Sequence, residues 1–208
     1  MGSFDDNSMA GDAIDRVVVL CTGNAARSVM AGAMLEAAGS SVRVVTAGTH
    51  ALEHQPMSVR TRAALSAVGV EVGHHRSRQL TEDHVEEAAL IVAMAAEHVH
   101  YVRRRHPAAA VRTATIAWLA ERLPSGPEPL AERVTSMDLA SVPPDMQGDV
   151  ADPAGGTDDD YRVCAEQLLD LTSRLAPRLA GTTALVVNEP DEDDAVSRRR
   201  TLRRSRRG

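Results

Sequence analysis

The chain has no lysine at all, and aromatic residues make up only 2% of its 208 positions: Phe4, Tyr101, Trp118 and Tyr161. A core must therefore be packed with Ala, Val and Leu rather than rings. Only two cysteines are present, Cys21 and Cys164. Two cysteines cannot build a disulfide framework, and they fit a reducing compartment where a free thiol survives. No apolar run approaches the eighteen or so residues of a membrane span, and no secretory leader pattern opens the chain, so a cytoplasmic protein without a membrane partner is expected. The absence of lysine leaves all 23 basic residues as Arg, seven of them within the last eleven positions.

What is present reads as one domain between two polar ends. Residues 1–13 are small, polar and acidic and are expected to be a flexible leader. Residues 189–208 run from acidic (DEDD) to basic (RRRTLRRSRRG), and neither half can bury a core. That tail lacks interleaved aromatics, so no nucleic-acid partner is expected. The domain is accordingly assigned to residues 14–188.

Within it, residues 17–20 (VVVL) form a continuous apolar run, as in a strand buried on both faces. A Gly-containing turn follows, then the helix-like SVMAGAMLEAAG. SVRVVTAG and ALIVAM read as two further strands, separated by a helix over SVRTRAALSAVG, with Gly69 as its C-terminal cap, and by a helix start at Thr81. Strands alternating with helices imply βαβ units. The fold class expected is α/β, a three-layer sandwich with helices on both faces of a central, mainly parallel sheet. Residues 124–148 are rich in Pro and read as a long loop. Thr157 followed by Asp158, Asp159 and Asp160 reads as a capped helix start, after which Tyr161, Cys164, Leu168, Leu171 and Leu175 form one apolar stripe. Cys164 is therefore expected to pack in the core.

The segment with chemistry is residues 21–28, CTGNAARS, placed where the first strand ends and the first helix begins. Thr22, Gly23, Asn24, Ala25 and Ala26 lie on a loop over a helix N-terminus, whose inward N–H groups and dipole suit a dianionic oxyanion and stabilise a thiolate. Five residues between Cys21 and Arg27 let the guanidinium reach the same anion with a two-pronged fork. Gly23 is expected to take a backbone conformation closed to other residues, Asn24 to tolerate left-handed geometry, and Ser28 to donate to the thiolate.

CTGNAARSVMA resembles the phosphate loop of the low-molecular-weight protein tyrosine phosphatases, and TAGTHA and GHHRSRQL resemble later segments of that family in the same order. The resemblance covers residues 16–180 and implies that the central, mainly parallel sheet of the α/β sandwich is four-stranded. It implies a cysteine-dependent phosphatase acting on a phosphorylated protein or a small phosphomonoester through a phosphocysteine intermediate, with no cofactor and no metal. Cys21 would be the nucleophile, Arg27 the phosphate ligand and Asp152, in an Asp-Pro pair with Pro153, the general acid and base. His75 resembles the histidine that braces the loop asparagine, here Asn24. The remaining histidines are read as surface or turn residues.

One departure concerns the pocket walls. No ring stands between Gly48 and Met57, and Ala154 and Gly155 follow Pro153, so the pocket is expected to be wider and less suited to stacking phosphotyrosine, with Leu52 or His54 lining it. The alternative function is arsenate reduction with an external low-molecular-weight thiol, since residues 76–100 offer no resolving cysteine pair. A non-catalytic oxyanion-binding module is the third reading.

Overall fold

The computed structural model describes residues 14–180; the leader, the tail and the last eight residues of the assigned domain lie outside them. Four strands, β1 (Arg16–Cys21), β2 (Arg43–Gly48), β3 (Ala88–Ala93) and β4 (Thr113–Thr115), form one sheet in the order β2-β1-β3-β4. All their pairings are parallel. The all-parallel pairing follows from the connections, since each of the first three strands is followed by a helical crossover that returns the chain to the same end of the sheet.

β1 is central and alternates its side chains between two cores. Val17, Val19 and Cys21 face a core shared with α1 (Arg27–Ala37), α2 (Val59–Ala67), α5 (Ile116–Arg122) and α7 (Asp158–Ala180), while Val18 and Leu20 face the smaller one beneath α3 (Glu82–Glu86) and α4 (Ala96–Arg105). The three-layer sandwich expected from the sequence is thus present, and its core is built mainly from Ala, Val, Leu, Ile and Met, with Tyr161 buried in the larger cluster and Trp118 and Tyr101 packed against the edges.

Local signals explain the elements. Thr81 caps α3 with a box closed by His84, and Ser58 caps α2 by accepting from Thr61 N–H. Gly69 takes the left-handed conformation just past α2, at φ 76°. Asp160 closes the start of α7 by accepting from both the backbone N–H and the hydroxyl of Thr157. Tyr161, Cys164, Leu168, Leu171 and Leu175 are all buried, as one helical stripe requires.

Two expectations change. The Pro-rich stretch 124–148 is not a plain loop: it holds α6 (Leu130–Thr135) and two short 3₁₀ turns. Pro129 directly before α6 starts that helix instead of breaking it. Gly23 does not carry the unusual backbone of the loop; Asn24 does, at φ 49°. Among the described residues no helix is long and apolar enough to cross a membrane.

Candidate active site

The loop of residues 21–28 lies between the end of β1 and the first turn of α1, and its shape is imposed from several sides. Cys21 and Thr22 carbonyls accept from Thr49 and His50 N–H, which ties the loop to the end of β2. Thr61 on α2 donates its hydroxyl to the carbonyl of Ala25 at 2.9 Å. His75 lies 2.8 Å through Nε2 from the carbonyl of Asn24. Burial, ahead of the Arg78 charge, holds the His75 pKa below its ordinary value, so the neutral ring donates from Nε2 to that carbonyl. The contact of His75 with Asn24 is thus to its backbone carbonyl and not to its side chain.

The Asn24 side chain is fully buried and engaged at both ends. Its Oδ1 accepts from Arg78 N–H at 3.0 Å and its amide donates to Ser28 Oγ at 3.0 Å. Ser28 Oγ also lies 3.0 Å from Cys21 Sγ, within reach for its hydroxyl to donate to the sulfur. The N–H groups of residues 23–26 donate to no other group among the described residues, which leaves a ring of donors for an anion's oxygens.

Arg27 opens α1 and is almost wholly buried. Its Nη1 donates to the carbonyl of Val150 at 3.2 Å, and its Nη2 contacts Asp152 Oδ2 at 2.5 Å and Thr22 Oγ1 at 3.3 Å. The chain segment that brings Asp152 here is itself anchored: Asp149 accepts from Ala96 N–H at the start of α4, and Asp152 Oδ1 accepts from Ala154 N–H across Pro153. This two-residue return is a common use of Asp in turns. Asp152 and Cys21, 131 positions apart in sequence, thus line one small cavity of about 100 Å³.

The walls of that cavity include Ala25, Ser58 and Ala154, and also Tyr161. Neither Leu52 nor His54 lines it; Leu52 is a surface side chain and His54 sits in a left-handed turn at φ 63°. Tyr161 reaches the cavity because the first turn of α7 abuts the loop, a contact that the apolar stripe alone does not reveal. Cys164, one turn further, is buried, and burial pushes its thiol up to about 11. It stays protonated near neutrality and belongs to the core.

His98 escaped the sequence reading. It is not a surface residue but 1% exposed, and its Nε2 lies 3.0 Å from Thr22 Oγ1 and 3.2 Å from Glu97 Oε1. Glu97 in turn stands 4.0 Å from Arg27 Nη2. Two carboxylates, Asp152 and Glu97, therefore flank the buried guanidinium of Arg27.

A cysteine, an arginine and a donor-lined loop stand together over a helix N-terminus, and the chain matches the family model described as low molecular weight phosphotyrosine protein phosphatase over residues 16–125. It is 34% identical to a protein-arginine-phosphatase of Geobacillus stearothermophilus over 165 residues, 79% of this chain and 95% of the relative. The chain belongs to the low molecular weight phosphotyrosine protein phosphatase family. A protein-tyrosine-phosphatase of Escherichia coli, Etp, is 30% identical over 115 residues, 55% of this chain and 78% of that protein. Among solved structures, the YwlE arginine phosphatase from Geobacillus stearothermophilus superposes with a TM-score of 0.64 at 32% identity, covering 79% of this chain and 92% of its own. As a member of this family the chain is a cysteine-based phosphatase, a phosphomonoester hydrolase, and arsenate reduction is not favoured.

Proposed function

We propose that the chain is a protein phosphatase whose preferred substrate is phosphoarginine, with aryl phosphomonoesters also accepted. The observation that carries this preference is the pair of acids on the Arg27 guanidinium. Asp152 and Glu97 lie 2.5 and 4.0 Å from Arg27 Nη2 and would face a guanidinium leaving group, which has cationic character. A phenol leaving group would meet the same acids with only the buried edge of Tyr161 beside it. The two arginine phosphatases among the relatives match over 95% of their own length, which supports the same preference.

In this reading Cys21 Sγ attacks phosphorus as the bond from phosphorus to the leaving nitrogen or oxygen breaks, and Asp152 gives that atom its proton. Arg27 and the N–H groups of residues 23–26 hold the three non-bridging oxygens as charge gathers on them. Asp152, now a carboxylate, takes a proton from water as the water oxygen attacks the phosphocysteine, releasing phosphate and the Cys21 thiolate. The incoming phosphoryl group displaces Asp152 from Arg27, so the ion pair of the free enzyme is what substrate replaces. Thr22, Ala25, Ala26 and Gly23 shape the pocket floor, while Asn24, Ser28 and His75 hold its form. A cytoplasmic setting belongs to this reading because the chemistry needs a reduced thiol.

The test is a comparison of kcat/KM on phosphoarginine-containing and phosphotyrosine-containing versions of one peptide. A preference for phosphoarginine is expected. A higher kcat/KM for phosphotyrosine would reverse the assignment while leaving the family chemistry intact.

A further inference from the structure

Three atoms close a triangle beside the phosphate loop: Thr22 Oγ1, His98 Nε2 and Glu97 Oε1, at 3.0, 3.2 and 3.3 Å from one another. The protons in it can be placed. A carboxylate only accepts, so an unprotonated Nε2 facing Glu97 Oε1 would set two lone pairs against each other. That arrangement would also leave a proton on Nδ1, which is buried and has no partner, and a stranded buried donor costs about 1–3 kcal/mol. The ring must therefore carry its proton on Nε2 and share it between Thr22 and Glu97. Burial, ahead of the Arg27 charge, holds the ring neutral with its pKa lowered to about 4, in keeping with this tautomer.

With Nε2–H donating to it, Thr22 Oγ1 has one further acceptor direction, and Arg27 Nη2 occupies it at 3.3 Å. The Thr22 hydroxyl proton then points to Glu97. Arg27 is left with a fixed contact on each branch: Val150 carbonyl on Nη1 and Thr22 on Nη2. Only the Asp152 contact need break when an anion enters.

We propose that His98 is a positioning residue for the phosphate site: it fixes the Thr22 hydroxyl, which fixes the Arg27 guanidinium in the plane that grips a phosphoryl group. The inference rests on the proposed role of Arg27 as phosphate ligand. His98 itself touches neither substrate nor the reacting sulfur, and it acts from α4 through one hydroxyl.

Binding of inorganic phosphate, measured by calorimetry on the full chain, tests this. Thr22→Val and His98→Met each remove one link and are expected to weaken phosphate binding about five- to ten-fold, the worth of one neutral hydrogen bond. His98→Gln, whose amide N–H reaches about as far as Nε2, is expected to stay within about two-fold of wild type on the same scale. The double variant is expected to be no weaker than the weaker single, because both act through one hydroxyl. Unchanged affinity in Thr22→Val, equal losses in the Met and Gln variants, or multiplied losses in the double would each overturn the proposal. Should His98→Met not fold, the Thr22→Val affinity decides by itself. Arg27→Ala separates the two levels: wild-type phosphate affinity there would defeat the reading of Arg27, whereas loss there with none in Thr22→Val defeats the positioning role alone.

Discussion

Gly48 touches no substrate in the proposed mechanism, yet replacing it with Ala should cripple the enzyme. A Cβ on Gly48 would stand 2.6 Å from the Thr22 carbonyl oxygen, 2.9 Å from Ala51 Cβ and 3.0 Å from Asn24 N. The first contact is about 0.8 Å short of the 3.4 Å at which ordinary contact begins. Gly48 cannot retreat, because its N–H and C=O are bound to Arg78 and Leu80 on the far side. The loop must therefore yield, and two of the three atoms it would shift belong to the backbone that cradles the anion. Overpacking of this kind costs about 1–3 kcal/mol of stability, and a displacement approaching 1 Å in a site of this kind costs about 100-fold in rate. Thermal melting and kcat/KM on an aryl phosphate would read both. The expected result is a folded Gly48→Ala variant with kcat/KM reduced about 10- to 100-fold, next to an unaltered Gly73→Ala, where a Cβ meets open space. Gly48→Ala with activity within two-fold of wild type would refute the claim that loop geometry, held from β2, sets the rate.

Asp152→Ala should lower kcat on an aryl phosphate by about 10²–10⁴-fold, the worth of a positioned acid, while inorganic phosphate binds at least as well, since its competitor for Arg27 is gone; weakened phosphate binding would contradict the displacement step. The buried His98 also predicts acid sensitivity. The unfolded chain takes up a proton at this residue near pH 6.5 and the folded one only near pH 4, so its contribution to stability is complete above pH 6.5 and declines as pH falls towards 4. The decline is about 3 kcal/mol at most, and denaturant melts across that range should be flatter for His98→Gln than for wild type; identical slopes would count against it.

How much of this was legible in the sequence depends on whether the residues concerned are neighbours in the chain. Residues 21–28 are contiguous and sit between a strand signal and a helix signal, so their placement followed from local pattern, as did β1, α1 and the stripe of α7. Asp152 is different. Asp and Pro dominate turns in general, and nothing local distinguishes Asp152-Pro153 from an ordinary turn; only the family resemblance singled it out. His98 carried no signal, because its environment is made by Thr22, 76 positions away. β4 is three residues long, too short for a periodic pattern to register, and α6 was masked by prolines at 124, 127 and 129 that read as breakers although the last starts the helix. That Asn24 alone, and not Gly23, carries the left-handed backbone has a physical cause: Asn24 is held there by bonds to Ser28, Arg78 and His75, which offset the cost a side chain meets in that region.

The central claim is that Cys21 becomes covalently phosphorylated. Intact-mass measurement on acid-quenched Asp152→Ala, caught during turnover of an aryl phosphate, tests it most directly, because loss of the base for the water step should let the intermediate build up. A mass gain of one phosphoryl group that maps to Cys21 and disappears in Cys21→Ser, together with loss of turnover in Cys21→Ser, is the predicted result. Turnover that persists in Cys21→Ser, with no phosphoryl group on Cys21 in the Asp152→Ala protein, would contradict it.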